Sequence, residues 1–136
     1  MKKIAIGELS VYRAAPPHVR DNLVLVDELI GAKNVSVGIG IYSKGQASEF
    51  HTHSGEEEVM IYLKGSGIMQ TSDGEEVEIS EGDVTYVPAD ESHKLINTGD
   101  EEFVFLFIYS PGGPERNIRK WDTVESLNYS LEQLTK

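Results

Sequence analysis

The sequence predicts an all-β fold, a barrel or sandwich of short strands. Three observations carry that prediction: apolar and polar residues alternate with period two in several short stretches, turn-rich tetrapeptides separate those stretches, and no crossover-helix pattern interrupts residues 35–110. The first element is Leu23-Val24-Leu25-Val26, an added N-terminal strand that follows a loop at Ala14-Ala15-Pro16-Pro17-His18. Val35, Val37, Ile39 and Ile41 then alternate with Ser36, Gly38, Gly40 and Tyr42. Val59-Met60-Ile61-Tyr62-Leu63 is an apolar run between an acidic cluster and Lys64-Gly65. Residues 67–71 lead into Ser72-Asp73-Gly74, whose Asp-Gly pair signals a hairpin, with Val77 and Ile79 on the return strand. Residues 84–87 end at Pro88, and Phe103 to Tyr109 is a continuous apolar strand that stops before Pro111. Beyond Pro114 a helix is expected to begin at Asp122. Asp122 and Glu125 have capping-box spacing, and Val124, Leu127, Leu131 and Leu134 recur on one helical face, suited to the outside of the barrel or to a dimer contact.

Bulk properties narrow the function. A chain of 136 residues is long enough for one domain, here a barrel over about 35–110 with an N-terminal extension over 1–34 and a C-terminal tail and helix over 111–136. The formal charge of −11 disfavours nucleic acid and anionic membranes, which would repel it. There is no cysteine, so disulfides and thiolate metal sites are out, and any metal must be held by nitrogen and oxygen. Gly7 and Glu8 break the opening apolar stretch too early for a signal peptide, and no apolar run reaches the length of a membrane span. A cytoplasmic location is the expectation.

His51 and His53 are one residue apart, so on an extended backbone both imidazoles face the same way. Glu58 follows Ser54-Gly55, which can supply a turn that returns the carboxylate toward the pair on the next strand. His93 lies further on, after Pro88-Ala89-Asp90-Glu91-Ser92. Three imidazole nitrogens and one carboxylate oxygen suit Zn, Fe, Mn, Ni or Co in the divalent state and match Ca or Mg poorly. A His-x-His alone is weak, because it also occurs on solvated strands, and Glu56-Glu57-Glu58 alone would be a charged surface.

The residues around these four resemble the two motifs of the cupin superfamily. Gly45, His51-Thr52-His53, Glu58 and Gly65 stand at the spacing of the first, and Gly82, Pro88, Asp90, His93 and Asn97 at that of the second, with 16 residues between Gly65 and Gly82. The family pattern has Gly where this chain has Asp90, a side chain that tolerates positive φ. The resemblance implies a double-stranded β-helix, or jelly roll, with one divalent transition metal held inside its open end by His51, His53, Glu58 and His93. It implies structural roles for Gly45, Gly65, Gly82, Pro88 and Asn97, and homodimers are common among small cupins.

If Glu58 points inward, alternation sends Met60 and Tyr62 inward too, and His93 takes Leu95 with it. The last strand offers either the Phe103, Phe105, Phe107 and Tyr109 face or the Val104, Leu106 and Ile108 face. Most of these side chains fill the core. Tyr62 is the candidate catalytic residue, a buried phenol able to donate a proton, and Met60, Gln70, Leu95 and Phe105 are the candidate substrate-pocket residues, with Glu49 behind them. No inward Arg or Lys is evident on the barrel strands; Arg13 and Arg20 could reach over the mouth, but nothing in the sequence places them. The expected partner is a small molecule. A metalloenzyme of dioxygenase or decarboxylase type, acting on an oxygenated or carboxylate-bearing substrate, is the leading reading. Alternatives are an oxygen-independent isomerase or epimerase of a sugar or hydroxy-ketone, and a non-catalytic small-molecule binding module.

Overall fold

The computed structural model describes residues 1–136. Its strands are β1 (Tyr12–Arg13), β2 (Asp21–Val26), β3 (Ser36–Tyr42), β4 (Glu57–Lys64), β5 (Ser66–Thr71), β6 (Glu76–Ser80), β7 (Val84–Val87), β8 (His93–Ile96), β9 (Phe103–Ser110) and β10 (Asp122–Thr123). Two short helices, α1 (Glu115–Ile118) and α2 (Leu131–Thr135), lie in the C-terminal part. A seven-stranded antiparallel sheet runs β10-β1-β2-β3-β9-β4-β7, and a three-stranded sheet runs β6-β5-β8. The two sheets enclose a core of inward-facing side chains, the jelly-roll arrangement the sequence predicts.

Side-chain size decides which face of β3 looks inward. The inner face carries Gly38, Gly40 and Tyr42, and the outer face carries Ile39 and Ile41. Gly38 lies opposite Phe107 and Gly40 opposite Phe105 on β9. A Cβ on Gly38 would fall 2.1 Å from Phe107 Cζ, and one on Gly40 would fall 2.3 Å from Phe105 Cζ. Each ring therefore lies across the bare backbone of its cross-strand glycine. Tyr42, Phe103, Phe105, Phe107 and Tyr109 continue as a file of aromatics through the interior, with successive ring centroids on β9 5.4–6.4 Å apart.

The outer face of the same sheet is also covered, which explains why β9 reads as one uninterrupted apolar run. Leu23, Ile39, Ile41 and Val104 pack there against Leu134 of α2, with Ile6, Leu9 and Tyr129 at the margins. Gly65, between β4 and β5, has φ +83 and its Cβ would fall 2.4 Å from the Glu102 carbonyl oxygen, so this turn admits glycine alone.

The C-terminal part departs from expectation. Asp122 starts no helix; Asp122 and Thr123 pair with Arg13 and Tyr12 as β10 on the sheet edge. Their backbone groups are engaged across the sheet, and that pairing outweighs a local Asp-x-x-Glu signal. The helix begins nine residues later at Leu131, capped by Ser130, whose hydroxyl accepts from Gln133 N at 3.2 Å while the Gln133 side chain accepts from Ser130 N at 2.8 Å, a reciprocal capping box. Of the expected apolar face only Leu134 is buried, at 1% exposure, and Leu131 is 61% exposed. Strand β1 and helix α1 have no counterpart in the sequence-based expectation.

Two stability measurements check this packing. Gly40→Ala is expected to destabilise by about 1–3 kcal/mol in urea titration, because the methyl group meets the Phe105 ring; at an unobstructed strand position the same change would be neutral or stabilising. Leu134→Ala should cost about 2–4 kcal/mol and Leu131→Ala less than about 0.5 kcal/mol, a contrast that reverses if the helix presents its other face.

Candidate metal centre

The site is assembled by backbone pairing between two distant segments. His51, in the connection between β3 and β4, forms an isolated antiparallel bridge with His93 at the start of β8. Each backbone N–H donates to the other residue's carbonyl at 3.0 Å. Asp90 adds a second tie: its N–H donates to the His53 carbonyl at 3.1 Å, and its carboxylate accepts from Gly55 N at 3.3 Å. Asp90 has φ 69, the one non-glycine residue with positive φ, so it takes the turn conformation of the glycine it replaces in the motif. Asn97 locks the far end of β8, donating from its side chain to the Tyr42 and Glu101 carbonyls at 2.8 and 2.9 Å. Glu58, on β4, then reaches the histidines from the opposing sheet.

One donor atom from each of His51, His53, Glu58 and His93 falls within 4.8 Å of the others. His51 Nδ1 donates to the Glu49 carbonyl and His93 Nδ1 to the Glu91 carbonyl, both at 2.9 Å. The His51 bond sets the tautomer that leaves its Nε2 lone pair free toward the centre, the usual outer support of an imidazole ligand, whereas His93 Nε2 meets Glu58 Oε1 at 2.9 Å and carries a proton that a metal would replace. His53 Nε2 is buried with no hydrogen-bond partner, 3.7 Å from Glu58 Oε1. An orphaned ring nitrogen aimed at a carboxylate and two pre-set imidazoles is a donor set that fits a divalent transition metal.

The electrostatics agree. Burial, assisted by the charge of His93, lowers the pKa of His51, and burial lowers that of His53 to about 4. Both are neutral ligands at neutral pH. For His93 burial works in the same direction, but the hydrogen bond to Glu58 Oε1 at 2.9 Å and that carboxylate's charge outweigh it, so its pKa is raised. Tyr109, 4.7 Å from His53 between ring centroids, has its pKa raised well above the ordinary phenol value by burial and by Glu58. Tyr42 is pushed up to about 12, mainly by burial. These phenols stay protonated.

The four residues open onto a cavity of about 310 Å³. Met60, Leu95 and Phe105, expected at the pocket, line it together with Phe107 and Tyr109. Tyr62 and Gln70 do not. Tyr62 points inward but lies deeper in the barrel, stacked on Phe103 at 5.2 Å, with its hydroxyl 2.8 Å from Thr85 Oγ1. Gln70 alternates to the outside of β5 and donates to Glu76 at 2.8 Å, since Met69 takes the inward position.

Most of the remaining wall comes from outside the motifs. Arg20, Asn22, Asn117 and Trp121 all line the cavity, as does Glu49. Arg20, which no sequence feature placed, is 8% exposed and its guanidinium lies 4.9 Å from the centroid of the Trp121 ring. The i, i+2 spacing of Arg20 and Asn22 entering β2 was the available signal. Trp121, the single tryptophan, adjoins residues whose pattern reads as a helix start, and no sequence signal directs it to the site.

Comparison with known proteins agrees with this architecture. The family model described as Cupin domain matches residues 38–109, over half of the chain. Among curated proteins, the chain is 43% identical over 72 residues to a glucose-6-phosphate isomerase of Pyrococcus horikoshii, a match spanning 50% of this chain and 36% of that protein. It is 36% identical over 64 residues to an oxalate-binding protein of Thermotoga maritima, spanning 47% of this chain and 52% of that one. The chain thus spans about a third to a half of the length of these relatives. Among solved structures, a predicted oxalate decarboxylase from Thermotoga maritima superposes with a TM-score of 0.72 at 24% identity, covering 82% of this chain and 100% of that chain. A polyketide cyclase of Streptomyces resistomycificus superposes with a TM-score of 0.73 at 20% identity, covering 84% and 82% respectively. At those identities the likeness establishes the fold. With the family match over its barrel and three histidines and a glutamate gathered at the open end, this chain belongs to the cupin family.

Proposed function

We propose that this chain is a metal-dependent cupin that takes a small carboxylate-bearing molecule onto one divalent transition metal and acts on it by decarboxylation or oxygen-dependent chemistry. The observation that carries the reading is the gathering of four donor atoms within 4.8 Å, with two imidazoles already oriented by backbone carbonyls. His51, His53, Glu58 and His93 would hold the metal. A divalent ion there supplies Lewis-acid charge and, where it is redox-active, electron transfer with oxygen. One carboxylate ligand leaves a net positive centre, which favours anionic oxygen chelators. Met60, Leu95, Phe105 and Phe107 give the cavity an apolar lining that excludes water, and Arg20 supplies positive charge at its wall.

Isomerisation of a sugar phosphate is a second reading, favoured by the 43% identity to a protein named glucose-6-phosphate isomerase and by Arg20, a cation suited to a phosphate. Arg20 is the one guanidinium or ammonium in the lining, and one such group matches a singly charged carboxylate better than a phosphate monoester.

Elemental analysis of protein purified without added metal should find close to one transition-metal ion per chain. His93→Ala should reduce that content at least about tenfold, and Tyr62→Phe should leave it unchanged, because Tyr62 lies outside the cavity. Retention of metal by His93→Ala would overturn the ligand set. Carbon dioxide release or oxygen uptake with small carboxylic acids supports the first reaction class; anaerobic interconversion of glucose 6-phosphate and fructose 6-phosphate supports the second.

A further inference from the structure

The metal cavity has a second polar wall, built by residues that the family match does not include. Arg20 and Asn22 stand two apart at the entrance to β2 and line the cavity together. The Asn22 carboxamide oxygen is buried and has no hydrogen-bond partner, although Asn22 is only 7% exposed. That oxygen is an acceptor and does not itself pair with an anion, so the anion-binding group of this wall is Arg20.

Arg20 is held but not saturated. Its Nη1 donates to the His18 carbonyl at 2.8 Å, and the guanidinium carbon lies over the Trp121 ring, 4.9 Å from its centroid. Its contacts with Glu49 are long, 3.3 and 3.4 Å, and the Glu49 side chain is 50% exposed. In the same sheet Arg13 grips Asp21 through two bonds of 2.7 and 2.9 Å. A guanidinium and a carboxylate free to close on each other reach about 2.8 Å. The Arg20–Glu49 pair is therefore a loose one at the rim of the cavity, and a carboxylate with better geometry can replace Glu49. The anchor of Trp121 is firm: Arg119, two residues before it, pairs with buried Asp27 at 2.5 Å.

We propose that Arg20, backed by Trp121, receives the second carboxylate of a dicarboxylic ligand whose other end chelates the metal, and that this carboxylate displaces Glu49. The inference rests on the carboxylate reading given above. It adds the selecting residue and narrows the ligand to one carrying a distal carboxylate. A carboxylate, bearing one charge and two parallel acceptors, matches the single guanidinium fork.

The experiment is calorimetric titration of protein carrying its own metal with two pairs of probes that share a chelating end: malate against 2-hydroxybutyrate, and 2-oxoglutarate against 2-oxopentanoate. In at least one pair the diacid is expected to bind about tenfold or more tightly than the monoacid. Arg20→Met should abolish that preference with metal content unchanged, Arg20→Lys should keep part of it, and Glu49→Gln should tighten the diacid severalfold while leaving the monoacid as it was. Equal affinities within each pair, or a preference that survives in both Arg20 variants, overturns the Arg20 subsite and leaves the carboxylate reading standing. Should Arg20→Met not fold, a Glu49→Gln variant that binds diacid no better than the parent overturns it as well. Failure of all four acids to bind metal-loaded protein overturns the carboxylate reading and the subsite with it. Tighter binding of 2-phosphoglycolate than of either diacid, lost in Arg20→Met, overturns the carboxylate assignment in favour of a phosphate.

Discussion

The two hydrogen bonds between the backbones of His51 and His93 are the interaction on which the candidate site depends. They join a connection that follows β3 to a strand some forty residues away in the chain, and they do so at the very residues whose rings face inward. Once that bridge forms, extended geometry places His53 on the same side as His51. Asp90 then secures the His53 end through its own N–H and its carboxylate. The ring nitrogens need no long side-chain network to hold them, because Nδ1 of His51 and of His93 is tied to a carbonyl two residues before it in the chain. Most of the organisation of the donor set is thus written in the main chain.

The aromatic file behind the site gives it a rigid floor. Phe105 and Phe107 fit only because Gly38 and Gly40 present no side chain, so glycine on one strand and phenylalanine on the next act as a single packing unit. That unit decides which face of β9 is inner and leaves Val104 for the outer layer against Leu134. The result is a cavity apolar at its base and polar at its rim. In a chain of net charge −11, burial keeps His51 and His53 neutral and ready to bind, and Arg20 brings positive charge to a place the overall composition would not suggest.

The rim belongs to the ends of the chain. The start of β2 brings Asn22 and, just before the strand, Arg20, and the segment with α1 and Trp121 lines the cavity beside them, fastened by Arg119 to Asp27 and by Arg116 to Glu28 at 2.7–2.9 Å. The family match covers residues 38–109, so the four donor residues and Glu49 fall within it, while Arg20, Asn22, Asn117 and Trp121 come from elements beyond it.

Much of this was legible in the amino-acid sequence. The strands from residue 35 to residue 110, the turn at Asp90 and the grouping of His51, His53, Glu58 and His93 followed from period-two alternation and from glycine, proline and histidine spacing, all of which are local signals or fixed motifs. Met60 and Leu95 were legible for the same reason, since alternation from Glu58 and His93 determines the parity of their strands, whereas the sequence leaves both faces of β9 open and Gly40 opposite Phe105 decides it. Parity does not determine depth: Tyr62 shares a face with Glu58 yet lies past the cavity, and its hydroxyl meets Thr85. Tertiary structure alone decided the C-terminal path, where pairing of Asp122 and Thr123 with β1 overrode a helical pattern, and with it the position of Trp121. It also decided that Arg20 faces the cavity. Contacts between residues a hundred positions apart leave no periodic trace in the sequence, because they are set by how finished layers pack and not by the preferences of neighbouring residues.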